Sequence, residues 1–475
     1  MHTLPLYRQL ANHYLDAIRS GTLKTGERFP SIRLMMEKHA VSLSTAVQVC
    51  RELEDCGVLE ARPRSGNYIR LPDTAPKPVP LTPPPFDTSV YLGLHPPISS
   101  VLTAGQRAAI RVNLASAYCA PSLYPLKTLQ DHMAKALRRD AHLLDAEGST
   151  NGCLALRNLL ARRALAAKTQ LPAEKIVITH GATEALTLAL RAVTQPGDTV
   201  AVESPTFYGL LQILESLHLR TREVPATAQA GINLLALEQL LQGPEAIQAL
   251  IVMPNLQNPL GSIMPDANKA RLVQLCAEHG TVLIEDDTYG DLVDIEQPLS
   301  TLKHWDLSDN VIHCASLNKT LAPGIRLGWI SAGKWHERVA MLKHAQSRGC
   351  EVMSQMAVSE FMKTPSYERY LRRLRKTLTH QRQQMSESIT RYFPVGTSVS
   401  EPRGGTLLWV ELPPHCSSIR LFHEALQVGI QISPGDIFSN SPRFNHFVRI
   451  GCGMPYSPKI DEALARLGGL LKAQV

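Results

Sequence analysis

The chain lacks the features that would send it out of the cell or into a bilayer. Its start, Met1-His2-Thr3-Leu4-Pro5, has no charged leader followed by an apolar core, and no uninterrupted apolar run is long enough to span a membrane. Nine cysteines, an odd number, are scattered from Cys50 to Cys452 with no Cys-x-x-Cys pair and no His/Cys cluster at zinc-ligand spacing. Reduced thiols, no metal and a soluble cytoplasmic protein are the expectation. The net charge of +7 is small for 475 residues, which excludes a general polycation but leaves room for a local basic face.

What is present is ordinary globular composition, 44% hydrophobic and 19% charged, over a length that exceeds one typical core. Two or three domains follow. Between Pro72 and Pro85 seven of fourteen residues are proline, which removes amide donors and enforces an extended linker. We therefore divide the chain into an N-terminal domain (1–71), a proline-rich linker (72–100) and a C-terminal part (101–475).

The N-terminal segment carries ten Lys/Arg against seven Asp/Glu. Leu6 to Ile18 has helical periodicity, Pro30-Ser31 opens a second helix with Ser31 as N-cap, and Val41-Ser42-Leu43-Ser44-Thr45 leads into a third that runs to Cys56 and stops at Gly57. Val58–Ala61 and Asn67–Arg70 can pair around Arg62-Pro63-Arg64-Ser65-Gly66. Three helices and a basic hairpin make a winged helix-turn-helix. Its third helix suits the major groove of double-stranded DNA, and its arginine-rich tip suits a phosphate backbone or the minor groove.

The C-terminal part alternates β-branched runs with helical stretches: 175–179 then 184–191, 199–202 then 208–217, 249–253 then 269–279, and 281–284. This is the pattern of βαβ units on a mostly parallel sheet, whose ligands sit at the carboxyl ends of the strands. From about residue 366 the style changes to a smaller α+β subdomain, which leaves about 125–365 as the large one. It opens with a long helix bearing Arg369, Arg372, Arg373, Arg375 and Lys376, either a solvated amphipathic face or an extension of a DNA-contacting surface.

Several residues fall where a bound phosphate and a reactive carbonyl would need them. Lys319 has Ser316 three residues before it and Arg326 seven after. Gly181-Ala182-Thr183 begins a helix after a strand, offering amides and a hydroxyl to an anion. Phe207 can cover a ring, or be core. Asn258, in Pro254-Asn255-Leu256-Gln257-Asn258-Pro259-Leu260-Gly261, can donate to a phenolic oxygen, or shape an Asx-turn. Asp286 in Glu285-Asp286-Asp287-Thr288-Tyr289 can pair with a protonated ring nitrogen, or cap a strand end. Arg449 near the C-terminus can grip a carboxylate, or serve as a structural ion-pair partner.

Taken as sets, these motifs resemble two families. Pro30-Ser31-x-Arg33, Val41-Ser42-x-x-Thr45, Leu53-Glu54-x-x-Gly57 and Arg62-x-Arg64-x-Gly66 look like a GntR-type DNA-binding domain. That likeness implies DNA contacts from Arg33, Ser42, Ser44, Thr45, Arg62, Arg64 and Gly66. Leu43 and Val47 stand where the superfamily often has arginine. Asn-Pro-x-Gly, Glu-Asp-Asp-x-Tyr and Ser-x-x-Lys-x6-Arg resemble fold-type I aminotransferases, an α/β fold dependent on pyridoxal 5'-phosphate (PLP).

That second likeness implies a Schiff-base lysine at Lys319, with Asp286 on the pyridine nitrogen and Tyr289 and Asn258 on the phenolate. Phe207 would lie on the ring, and Ala182, Thr183, Ser316 and Arg326 on the phosphate. Arg449 would take a substrate or effector α-carboxylate. The combination resembles MocR-type regulators, which implies a head-to-tail, domain-swapped homodimer that senses an amino acid or amine. Two departures stand out. Glu147 occupies the place of a tyrosine that in relatives reaches the neighbouring phosphate, and Asn318 replaces a frequent serine. Three functions stay open on these residues: a PLP-dependent regulator, a working aminotransferase with an accessory DNA-binding domain, or a PLP-free dimerisation scaffold.

Overall fold

The computed structural model describes residues 5–62, 65–70, 95–139, 142, 145, 148–294 and 298–474. The chain separates into two compact units, Met1–Phe86 and Asp87–Val475. The core of the proline-rich segment lies outside the described residues.

In the first unit three helices, Leu6–Arg19, Ile32–His39 and Leu43–Asp55, pack around Ala11, Tyr14, Ile18, Met35, Ala46, Val49 and Leu53. Their recurrence every three or four residues is the period of a helix with one buried face. Ser31 and Ser42 cap the second and third helices, their hydroxyls accepting from the amides of Leu34 and Thr45 at 3.2 Å each, a bond worth about 1 kcal/mol per cap. Between these helices Ala40 takes the left-handed conformation (φ 49°), and Gly57 does so (φ 71°) just after the third. The hairpin pairs Leu59–Arg62 with Gly66–Ile69, one residue out of step with the sequence expectation on both strands. Leu59 and Ile69, opposite each other, are the hairpin residues that enter the core.

The second unit is built on an eight-stranded sheet. In spatial order its strands are Ile176–Thr179, Gly328–Ser331, Val311–Ser316, Val282–Asp286, Ile247–Val252, Thr199–Ser204, Arg220–Thr227 and Gly231–Ile232. The five from Val311–Ser316 to Arg220–Thr227 run parallel, as expected, and most of their residues are buried, because helices cover both faces of a parallel sheet. Two strands depart from the parallel run of this mostly parallel sheet: Gly328–Ser331, second from one end, and Gly231–Ile232, at the other edge, are antiparallel to their neighbours. Gly328 permits the first of these crossings, since a Cβ there would lie 2.6 Å from the Ala315 carbonyl oxygen and from the backbone of Gly181.

A four-stranded antiparallel sheet, Ser398–Val399, Leu407–Glu411, Phe447–Gly451 and Ser433–Pro434, forms the smaller subdomain with the helices Pro365–Tyr392, Ser418–Gln427 and Pro458–Lys472. Two boundaries differ from the sequence reading. A helix, Pro96–Arg107, starts inside the stretch assigned to the linker and buries Ile98 and Val101 in the small-subdomain core. Its first two residues are prolines, and a helix's first turn needs no amide donor there, so the same residue type that marks a linker also opens a helix. Val112–Asn113 then pairs with Ile430–Gln431, so the small subdomain gathers residues from both ends of the unit. Among the described residues no helix is long and apolar enough to cross a membrane.

Candidate functional site

Five strands that end on one side of the large sheet deliver Thr179, Ser204, Val252, Asp286 and Ser316 to the same rim. Beyond that rim lies a cavity of about 330 Å³, lined by all nine residues expected at a cofactor and by Arg449. Lys319 follows the strand Val311–Ser316, with its ammonium 3.7 Å from the ring centre of Tyr118 and 5.4 Å from that of Tyr289. Loss of water, then the nearby Arg449 cation, lower its pKa from 10.5 to about 7, and the Asp286 carboxylate only partly offsets them. Close to neutral pH this lysine is therefore a nucleophile.

Asp286 is the last residue of its strand and 6% exposed. Its Oδ1 accepts from the Thr288 amide at 3.1 Å and the Thr288 hydroxyl at 2.5 Å. Burial raises its pKa, against the pull of those two bonds and of the charges on His313 and Lys319. His313, on the adjacent strand, bonds Glu285 Oε2 through Nδ1 at 3.1 Å. Burial disfavours the charged ring, yet the bond and the charge of Glu285 outweigh it and raise the His313 pKa.

The opposite end of the cavity is shaped for an anion. The helix Ala182–Val193 has no side-chain cap, and Gly181 precedes it at φ 82°. A Cβ on Gly181 would lie 2.7 Å from Asn318 Nδ2 and 3.5 Å from Arg326 Nη2, so the missing side chain leaves a cradle beside two donors. Arg326 donates to the His180 carbonyl at 3.0 Å and has no carboxylate within 4.0 Å among the described residues. Ser316 Oγ accepts from the Asn318 amide at 3.1 Å, and Asn318 Oδ1 is buried without a partner among the described residues. Open helix amides, a guanidinium and two polar side chains suit a phosphate dianion.

Arg449 sits on the strand Phe447–Gly451 and is 2% exposed. It donates to Asn258 Oδ1 at 3.0 Å, the Ala115 carbonyl at 2.8 Å and Ser433 Oγ at 3.3 Å. Its Nε has no partner among the described residues, and the guanidinium lies 5.0 Å from the ring centre of Phe438 and 5.7 Å from that of Tyr208. Every partner is neutral. Asn258 thus turns its oxygen to Arg449, which leaves its amide nitrogen for another acceptor. Tyr289 is 3% exposed, and burial raises its pKa. Phe207 lies against backbone at Gly209, where a Cβ would come within 2.6 Å of its ring.

In the first unit the expected DNA contacts fall on the third helix, on the hairpin and, for Arg33, on the second helix. Ser42 and Ser44 are exposed and Thr45 is partly buried, with Ser42 Oγ 2.8 Å from Ser44 Oγ and 2.9 Å from Thr45 Oγ1. Arg33 is exposed on the second helix. The Arg62 guanidinium lies 4.5 Å from the ring centre of Tyr68. Gly66 has φ 102° and leaves room for Arg28, whose Nε would be 3.3 Å from an added Cβ. Arg64 lies outside the described residues.

Comparison with known proteins agrees with both units. The model of bacterial regulatory proteins of the gntR family matches residues 6–69, and that of class I and II aminotransferases matches residues 119–467. The HTH-type transcriptional regulator YjiR of Escherichia coli is 33% identical over 97% of this chain and 98% of its own length, and YdcR of the same organism is 35% identical over 99% of each. The chain is a GntR-family regulator fused to an aminotransferase-like domain. Among solved structures, that domain is similar to LysN, the alpha-aminoadipate aminotransferase of Thermus thermophilus complexed with N-(5'-phosphopyridoxyl)-L-leucine. The TM-score is 0.72 at 28% identity, over 79% of this chain and 94% of that one.

The regulator's cavity also holds residues that motif reading missed. Tyr118, Asn113 and Ser433 line it, as do Val101 and Leu102 from the helix Pro96–Arg107. A lone tyrosine far from Lys319 in the chain carries no local signal, whereas Tyr208, beside Phe207, lay within reach of one. Glu147 lies outside the described residues. His180, Glu184 and Cys350 converge within 4.8 Å in a way that suits a metal, but the Glu184 carboxylate already bonds the buried Lys343 ammonium at 3.1 Å. In the long helix Pro365–Tyr392, Arg369, Arg372, Arg373 and Lys376 are exposed while Tyr370, Leu371 and Leu374 are buried, the arrangement of an amphipathic helix.

Proposed function

We propose that the regulator binds PLP through Lys319 and senses an amino acid or amine, whose arrival alters operator binding by the winged helix. The observation that carries this reading is Arg449: a buried guanidinium bonded only to neutral acceptors, beside a lysine whose pKa is near 7. Burying an uncompensated charge costs several kcal/mol, a cost that an incoming carboxylate would offset. PLP, when bound, supplies an aldehyde carbon and a ring that stabilises negative charge. Toward it, Lys319 presents a free amine and can hold or release a proton at Nζ. Asp286, oriented by Thr288, would pair with the ring's protonated nitrogen. The Ala182 amide and the hydroxyls of Thr183 and Ser316 would donate to the PLP phosphate and Arg326 would offset the phosphate charge, while Asn258 and Tyr289 would serve the phenolic oxygen and Phe207 the ring.

The same reading places the DNA contacts in residues 1–71, beyond a proline-rich linker, and assembles the chain as a head-to-tail homodimer in the cytoplasm. Its test is the visible absorption spectrum of the purified protein with added PLP, titrated with amino acids and amines, together with a Lys319→Ala variant. The variant should keep basal operator binding and lose the effector response; unchanged regulation would sink the proposal. A second reading, a working aminotransferase, is favoured by the convergence of all nine expected cofactor residues and Arg449 on one cavity and by the likeness to LysN. Sustained amino-group transfer to a 2-oxo acid would select it.

A further inference from the structure

Leu43 opens the third helix of the winged domain, and the residue is 58% exposed. It is flanked by exposed Ser42 and Ser44, with exposed Gln48 further along and partly buried Val47 one turn away. The hydroxyls beside it bond one another and keep further hydrogen-bonding capacity. Ser42 Oγ accepts from the Thr45 amide at 3.2 Å and pairs with Ser44 Oγ and Thr45 Oγ1 at 2.8 and 2.9 Å. Among the exposed side chains at this end of the helix expected in the major groove, Leu43 is the apolar one. A leucine makes no hydrogen bond to any base edge. The one apolar feature the major groove offers is the C5-methyl group of thymine.

We infer that Leu43 is a specificity residue that selects thymine by packing on its 5-methyl group. This rests on the DNA-binding character of the domain and is independent of the cofactor reading. Water is driven from two apolar surfaces when they meet, so the contact discriminates without a donor or an acceptor. It neutralises no phosphate, so it releases no counterion.

The test begins with duplexes enriched by the full-length protein from a random-sequence pool. In the enriched site each thymine is replaced in turn by deoxyuridine, which removes only the methyl group. Wild type should lose roughly three- to tenfold in affinity at one position of each half-site. Leu43→Ala should bind the thymine duplex that much more weakly and lose nothing further on deoxyuridine, with an unchanged slope of log affinity against log salt. Leu43→Met, which retains an apolar tip, should keep the methyl sensitivity, a control against a folding defect. Leu43→Arg should shift the enriched base from thymine to guanine. Three results would overturn the assignment: no enriched sequence, no position sensitive to deoxyuridine, or a Leu43→Ala protein as sensitive as wild type.

Discussion

The pH dependence of PLP capture tests the chemistry of Lys319 directly. Burial in the cavity, then the Arg449 cation, lower its pKa to about 7. Only the unprotonated amine attacks an aldehyde. At pH 7 about half of the molecules would carry it, against roughly one in 3,000 for an unperturbed lysine. The perturbation is a pH series on apo-protein, mixed with PLP in a stopped-flow instrument and followed by the growth of visible absorbance. The initial rate should climb about tenfold per pH unit below pH 6, bend near pH 7 and level off above about pH 8.5. Arg449→Met removes a cation that helps lower this pKa, so the bend should move to higher pH. A rate that keeps climbing tenfold per unit to pH 10 would refute the reasoning, because it would mean that water still solvates the ammonium.

Two further outcomes follow from the cavity. Arg449→Met should still give the visible band with PLP, yet lose at least about tenfold in affinity for an α-amino acid while its decarboxylated amine binds as before, in an absorbance titration. Equal losses for both ligands would remove Arg449 from the carboxylate site. Gly181→Ala places a Cβ 2.7 Å from Asn318 Nδ2 at a left-handed backbone position, and should weaken PLP about tenfold by fluorescence titration while the far-UV circular dichroism stays unchanged. An unaltered PLP affinity would mean that the phosphate does not use this cradle.

The parts of the molecule legible in the sequence share a physical cause. Lys319, Asp286, Asn258 and the Gly181 turn each follow a strand of the large sheet or the loop it leads into, where a buried strand ends and polar residues must begin. Apolar run, glycine or proline, then a polar residue is a local pattern. The helices of the winged domain were legible because serine caps and a terminal glycine act within a single turn. What escaped depends on contacts distant in sequence. Gly328–Ser331 reads like any short strand, and only its neighbours make it antiparallel. Tyr118 gains its place over Lys319 from the segment that pairs with the small subdomain. That Arg449 has only neutral partners follows from what Ala115, Asn258 and Ser433 bring to it, and no motif around Val448-Arg449-Ile450 records them.

The helix Pro96–Arg107 and the pair Val112–Asn113/Ile430–Gln431 also decide where the tether from the DNA reader is moored. The chain emerging from the proline-rich stretch fastens first onto the small subdomain, the body that carries Arg449, before it reaches the large sheet with Lys319. The first described helix after the proline-rich stretch and the strand that carries Arg449 thus belong to the same subdomain.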